Sequence, residues 1–131
     1  MLREPSFFSS LACAASGLKE MVRTERNFRI HLIATCFAII FGFELKISRL
    51  EWLFIFIAVA TVLILETLNA VVERMIDLVK PRLHPIVHDI KDMMAGAVLL
   101  AATASVVVGG VIFLPRIITV LVTYGIMYDI I

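Results

Sequence analysis

Charge is scarce in this chain, and the gaps in it are long. Charged residues make up 18% of the 131, where about 25% is usual for a soluble domain. Residues 93–115 carry no charge, residues 30–43 carry none, and residues 52–72 carry only Glu66. The apolar set reaches 61%, against roughly 45–50% on average. A soluble domain this short leaves too much of its surface in water to hide that excess, so it must face lipid or partner subunits. The gaps decide for lipid. A hydrocarbon core about 30 Å thick takes about 20 helical residues at 1.5 Å each. Two gaps meet that length and the third is marginal, which describes a small multi-pass membrane protein.

The other scarcities exclude whole classes of function. Cys13 and Cys36 stand in no metal-ligand or redox spacing, and Cys36 reads as a small apolar residue of the first span. A net charge of +1 lacks the concentrated basic surface that nucleic acid requires. The six glycines fit neither the Walker pattern nor the dinucleotide fingerprint, and no Ser-His-Asp arrangement is legible. His84 and His88 are four apart, but Pro85 lies between them and no third soft ligand follows, so a metal pair is not expected. The stretch FFSSLACAAS is too short, and too broken by Ser9 and Ser10, for a signal peptide or lipoprotein leader.

What is present reads as an all-α membrane protein, one membrane domain over residues 1–131. Phe7, Phe8, Leu11, Ala15, Leu18 and Val22 follow a 3.6-residue period, so residues 6–25 are expected to form an amphipathic helix on the membrane surface. Membrane helices are expected over residues 28–45, 50–79 and 86–114, the last ending before Pro115. Pro81 and Pro85 mark the preceding break. The apolar tail, residues 116–131, is too short to cross a bilayer again and is expected to lie on the surface or re-enter. Arg3, Lys19, Arg23, Arg26 and Arg29 flank the first span, and Arg74, Lys80, Arg82 and Lys91 surround the second connection. Only Lys46, Arg49 and Arg116 fall on the opposite side. That bias places the N-terminus in the cytoplasm.

Ionisable residues inside a membrane helix cost roughly 2.5–3.5 kcal/mol each and are functional candidates by default. Glu66, Asn69, Glu73 and Asp77 follow offsets of three, four and four, which stack them on one helix face. The track runs from mid-membrane to the cytoplasmic end. Acids this close repel one another unless a cation intervenes, and hard oxygen ligands of this kind suit Mg²⁺ with substrate phosphates. Glu25, Lys91 and Asp92 fall at the same membrane face, joined by Arg74 or a neighbouring base. Lys91 with Asp92 also reads as a plain interfacial ion pair, Glu66 as a neutral buried acid, and His31 as an interfacial histidine. Ala95, Gly96, Ala97, Ala101, Ala102 and Ala104 read as close helix packing. The residues alone thus give a metal-capable carboxylate cluster and name no reaction.

At these residues the chain resembles the small bacterial integral-membrane lipid kinases, the diacylglycerol kinase and undecaprenol kinase family. The likeness is carried by ETLNAVVERMIDLV (66–79), KDMMAGAVLL (91–100) and RTERNFRIHL (23–32), the last closest to undecaprenol-type members. The resemblance implies a homotrimer in the bacterial cytoplasmic membrane, with active sites shared between protomers. It implies transfer of the γ-phosphoryl group of MgATP to a lipid alcohol, undecaprenol or diacylglycerol. Glu66 then matches the catalytic base and Asn69 its neighbour. Glu25 and Glu73 match metal-coordinating carboxylates, and these two with Asp77, Lys91 and Asp92 match the nucleotide site. Met94 stands where some members have a small residue, and the tail from Arg116 extends past the family's usual end. Two other classes compete. A proton- or cation-coupled carrier would use Glu66, Glu73 and Asp77 as a relay, but residues 52–65 offer it only Thr61. A non-catalytic membrane subunit leaves the costly charges without a purpose.

Overall fold

The computed structural model describes residues 6–79 and 85–128; Arg3, Lys80, Pro81, Arg82 and His84 lie outside them. The described residues form four helices and no strand: α1 (Phe7–Thr24), α2 (Arg26–Glu44), α3 (Arg49–Val79) and α4 (Pro85–Tyr128). The last three are long and apolar enough to cross a membrane.

Ser6 opens α1 as its N-cap, its hydroxyl accepting from the Ser9 amide at 3.3 Å. Only Met21 of α1 is buried. Phe7 and Phe8, at 77% and 80% exposed, keep the apolar face of α1 open, as a helix resting on lipid requires. The helix stops because Glu25 turns extended, with its amide bonded to the Met21 carbonyl at 2.9 Å. Arg29 reaches back from α2 and donates to the carbonyls of Val22 and Arg23 at 3.1 and 3.0 Å. Those are end-of-helix acceptors with no partner within α1.

The turn from α2 to α3 is built by local chemistry. Lys46 adopts a positive φ of 48°, its amide bonds the Phe43 carbonyl, and the Ile47 amide bonds the Gly42 carbonyl. This pair of bonds is the Schellman closure, with lysine where glycine is usual. Ser48 and Glu51 then cap α3 reciprocally, amide to carboxylate at 2.7 Å and amide to hydroxyl at 3.3 Å. The closure folds Ile47 and Trp52 over Gly42. A Cβ on Gly42 would stand 2.6 and 2.7 Å from Trp52 ring carbons, so the rigid indole would have to move. Gly42→Ala is therefore expected to cost about 1–3 kcal/mol as an overpacked site. Gly96→Ala, with nothing within 4 Å, serves as the control in thermal unfolding in detergent.

The pairing of α3 with α4 is the most extensive in the chain, followed by α2 with α3. On α3 the buried positions are Ile55, Val62, Glu66 and Ala70, a seam spaced by seven, four and four residues that puts Glu66 in line with the core. Facing it on α4 run Val98, Ala101, Ala102, Ser105, Gly109 and Ile112. The backbones come close enough for the Ser105 hydroxyl to donate to the Ala58 carbonyl of α3 at 3.2 Å. Of the small residues expected to pack, Gly96, Ala97, Ala101 and Ala102 are half-buried, whereas Ala95 and Ala104 are exposed.

One expectation needs correction. The third span does not end at Leu114, and residues 116–128 are not a separate surface or re-entrant segment: α4 runs unbroken through Pro115 to Tyr128. Proline removes the donor to the Val111 carbonyl and crowds that carbonyl, yet the helix continues past it, with side-chain bonds on both sides. Arg116 donates to the Ile112 carbonyl at 2.8 Å and the Thr119 hydroxyl to the Pro115 carbonyl at 2.9 Å. The Arg116 guanidinium also forks onto both carboxylate oxygens of Glu51 at 2.8 Å, tying α4 to the first turn of α3.

Candidate functional site

The opposite end of the bundle gathers the acids. There the C-terminus of α1, the first turns of α2, the last turns of α3 and the first turns of α4 meet. Glu66 is the one buried charged residue among those described, 4% exposed. It sits between Val62 and Ala70 on the α3 seam, and Ala70 packs in a core with Met21, Phe28, Leu32 and Leu63. Its partner comes from α2: the His31 Nε2 is 3.3 Å from Glu66 Oε1. A buried carboxylate without such a partner would be strongly unfavourable.

One turn on, the side-chain oxygen of Asn69 is buried with no hydrogen-bond partner. Such an orphan acceptor is uncommon in a finished interior and marks a position at which a donor is wanted. Glu73 follows, with the Lys91 ammonium of α4 3.5 Å from its carboxylate. Glu25, at the junction of α1 and α2, is reached from α3 by Arg74, whose Nη2 lies 2.8 Å from Glu25 Oε1 and 2.7 Å from the Thr24 hydroxyl. Thus α3 brings Glu66, Asn69 and Glu73 onto one face, and Arg74 and Lys91 attach Glu25 and α4 to it.

The remaining expected residues sit further out. Asp77 is exposed one turn beyond Glu73. Asp92 is exposed and pairs with His88 of its own helix, Nδ1 to Oδ2 at 3.1 Å, and not with the acids of α3. Among the described residues no three His, Cys, Asp or Glu side chains form a preformed metal cage. That donor set still suits one hard cation, because Mg²⁺ commonly takes only one or two protein carboxylates and fills its shell with phosphate and water.

One contributor was not singled out in the sequence. His31 reads there as an interfacial histidine, yet it is the partner of Glu66. Arg74, expected among the basic residues of the site, holds Glu25. The available signal was the rule that a buried carboxylate needs a partner at its own depth. Counting back from the turn at residues 45–48, His31 and Glu66 stand about 21 and 27 Å deep at 1.5 Å per residue. No other residue of α2 at that level carries a ring nitrogen.

His31 also heads an apolar cleft of about 200 Å³ between α2, α3 and α4, lined by Ala34, Ala38, Val59, Ser105 and Phe113 among others. The polar end of the bundle therefore opens, past one imidazole, onto a space suited to hydrocarbon.

This arrangement agrees with what the chain resembles. A family model described as prokaryotic diacylglycerol kinase matches residues 12–113, a range that contains every residue of the site. The undecaprenol kinase of Bacillus subtilis (strain 168) is 41% identical over 110 residues, covering 84% of this chain and 89% of its own. The diacylglycerol kinase of Synechocystis sp. is 35% identical over 119 residues, covering 90% and 68%. That of Haemophilus influenzae is 28% identical over 106 residues, covering 80% and 90%. With a membrane-helix architecture, a buried acid on its central helix and these relatives, the chain belongs to the prokaryotic diacylglycerol kinase family, a family of membrane lipid kinases.

Proposed function

We propose that the chain transfers the γ-phosphoryl group of ATP to the hydroxyl of a membrane lipid alcohol, undecaprenol in preference to diacylglycerol, at the cytoplasmic face of a bacterial inner membrane. The observation that carries this reading is the position of Glu66. It is buried at membrane depth, at the inner end of a carboxylate track and beside the head of an apolar cleft. A lipid alcohol can present its hydroxyl there while its chain stays in hydrocarbon.

Glu66 acts as the general base, taking the hydroxyl proton as the lipid oxygen attacks the γ-phosphorus and ADP departs. The unpartnered Asn69 oxygen supports a role in receiving a donor beside the reacting hydroxyl. Glu25 and Glu73 are the residues that would hold Mg²⁺. When bound, the ion neutralises phosphate charge and orients the nucleotide. Lys91 supplies a further positive charge at the same level, and Asp77 and Asp92 border the nucleotide's approach. The chain assembles as a homotrimer that completes its sites between neighbours, with the N-terminus in the cytoplasm.

The preference for undecaprenol rests on the RTERNFRIHL segment and on the similarity to the Bacillus subtilis undecaprenol kinase. A carrier draws less support. Beyond His31 the cleft contains only Thr35 and Ser105 as polar side chains, and the one proton of each hydroxyl is taken up by backbone carbonyls. The experiment is a competition. With undecaprenol and diacylglycerol at equal mole fraction, labelled ATP is expected to yield mostly undecaprenyl phosphate. A majority of phosphatidic acid would reverse the substrate assignment.

A further inference from the structure

The environment of His31 goes beyond the carboxylate track. Its imidazole points from the second turn of α2 towards α3, where Glu66 Oε1 lies 3.3 Å from Nε2. Among the described residues Glu66 is the one charged group paired with the ring. The Thr35 hydroxyl, one turn away, is committed to the His31 carbonyl at 2.8 Å. Phe28, 3% exposed and one turn earlier on α2, packs with Met21 of α1 and Ala70 of α3 and so fixes the rotation of the helix that presents the ring. The terminal torsion of a glutamate is soft. A carboxylate at the edge of an apolar cleft therefore has no preferred direction unless something holds it.

We propose that His31 is a positioning residue for phosphoryl transfer. Its Nε2–H donates to Glu66 Oε1 and so aims the second carboxylate oxygen at the lipid hydroxyl. The inference rests on Glu66 being the general base. During transfer the lipid O–H bond breaks as a Glu66 O–H bond forms. The freed lipid oxygen bonds to the γ-phosphorus while the bond from that phosphorus to the departing ADP oxygen breaks. His31 keeps its own proton throughout, so its contribution is direction. Loss of about 1 Å of alignment can cost on the order of a hundredfold in rate.

The test uses the full-length protein in lipid nanodiscs, assayed with labelled ATP and undecaprenol. His31→Leu preserves apolar packing and removes the donor. It is expected to lower kcat about 30- to 100-fold while leaving KM for ATP and for lipid within about twofold. His31→Gln, which keeps a donor of similar reach, is expected to recover kcat to within about fivefold. His31→Asn, one methylene shorter, is expected to stay near the leucine variant and decides the matter if leucine disturbs folding. Full kcat in His31→Leu or His31→Asn, with Glu66→Gln inactive, overturns the positioning role and leaves the base intact. Full kcat in Glu66→Gln overturns the base and the inference with it. A rise in lipid KM at constant kcat would make His31 a binding contact and would also overturn the proposal.

Discussion

Glu66→Gln is expected to reduce phosphoryl transfer about a thousandfold, in the middle of the range by which a positioned base accelerates proton transfer. The substitution is chosen to isolate chemistry from structure. Glutamine has the shape of glutamate, and its carbonyl can still accept from the His31 Nε2 that lies 3.3 Å from Glu66 Oε1. The seam of Ile55, Val62 and Ala70 around position 66 is untouched. The variant should therefore insert and unfold at a temperature no lower than the parent, since it removes a buried charge that needs a partner to be tolerated. Label incorporation and thermal unfolding, measured on one preparation, separate the two effects. Turnover equal to the parent would remove Glu66 as the base.

Glu73→Gln is expected to lower turnover about a hundredfold, with part of the loss regained as Mg²⁺ is raised. The structure offers Glu73 two employments, because the Lys91 ammonium stands 3.5 Å from its carboxylate. If the carboxylate serves only to hold Lys91, then Lys91→Met should cost as much, the double variant no more, and Mg²⁺ concentration should not matter. If it helps hold the ion, the activation curve for Mg²⁺ moves to higher concentration in Glu73→Gln and stays in place in Lys91→Met. Titration of turnover against Mg²⁺ at saturating ATP reads the difference. An unmoved curve in Glu73→Gln would take Glu73 off the metal. Glu25→Gln is a poorer instrument, because its carboxylate also anchors Arg74, and the junction of α1 with α2 would loosen at the same time.

Much of this architecture is legible in the chain because lipid enforces simple rules. An uncharged run of helix length must span, an acid within such a run must have a purpose, and acids at offsets of three and four must share a face. Glu66, Asn69 and Glu73 follow from those rules alone. Contacts between helices do not, because helical periodicity carries no information on which residue of a neighbour stands opposite. The pairing of His31 with Glu66, and of Arg74 with Glu25, depends on rotation and depth settled by packing at Phe28, Met21 and Ala70. Asp92 shows the same limit from the other side. It is adjacent to Lys91 in sequence, yet it turns to His88 while Lys91 turns to Glu73. Pro115 misled for a different reason. A proline is a fair stop signal, because it costs one helix bond and crowds one carbonyl. Here the helix carries on through it, and Arg116 ties α4 to Glu51 at the first turn of α3.

The most direct measurement is transfer itself. Purified protein in nanodiscs, given γ-labelled ATP and Mg²⁺, is incubated with and without undecaprenol or diacylglycerol, and the label is followed into the organic phase. One labelled lipid phosphate should form for each ADP released, only when a lipid alcohol is present, and Glu66→Gln should slow it about a thousandfold. Release of ADP with no label in the lipid, or no consumption of ATP with either alcohol, would contradict the assignment of this carboxylate cluster to lipid phosphorylation.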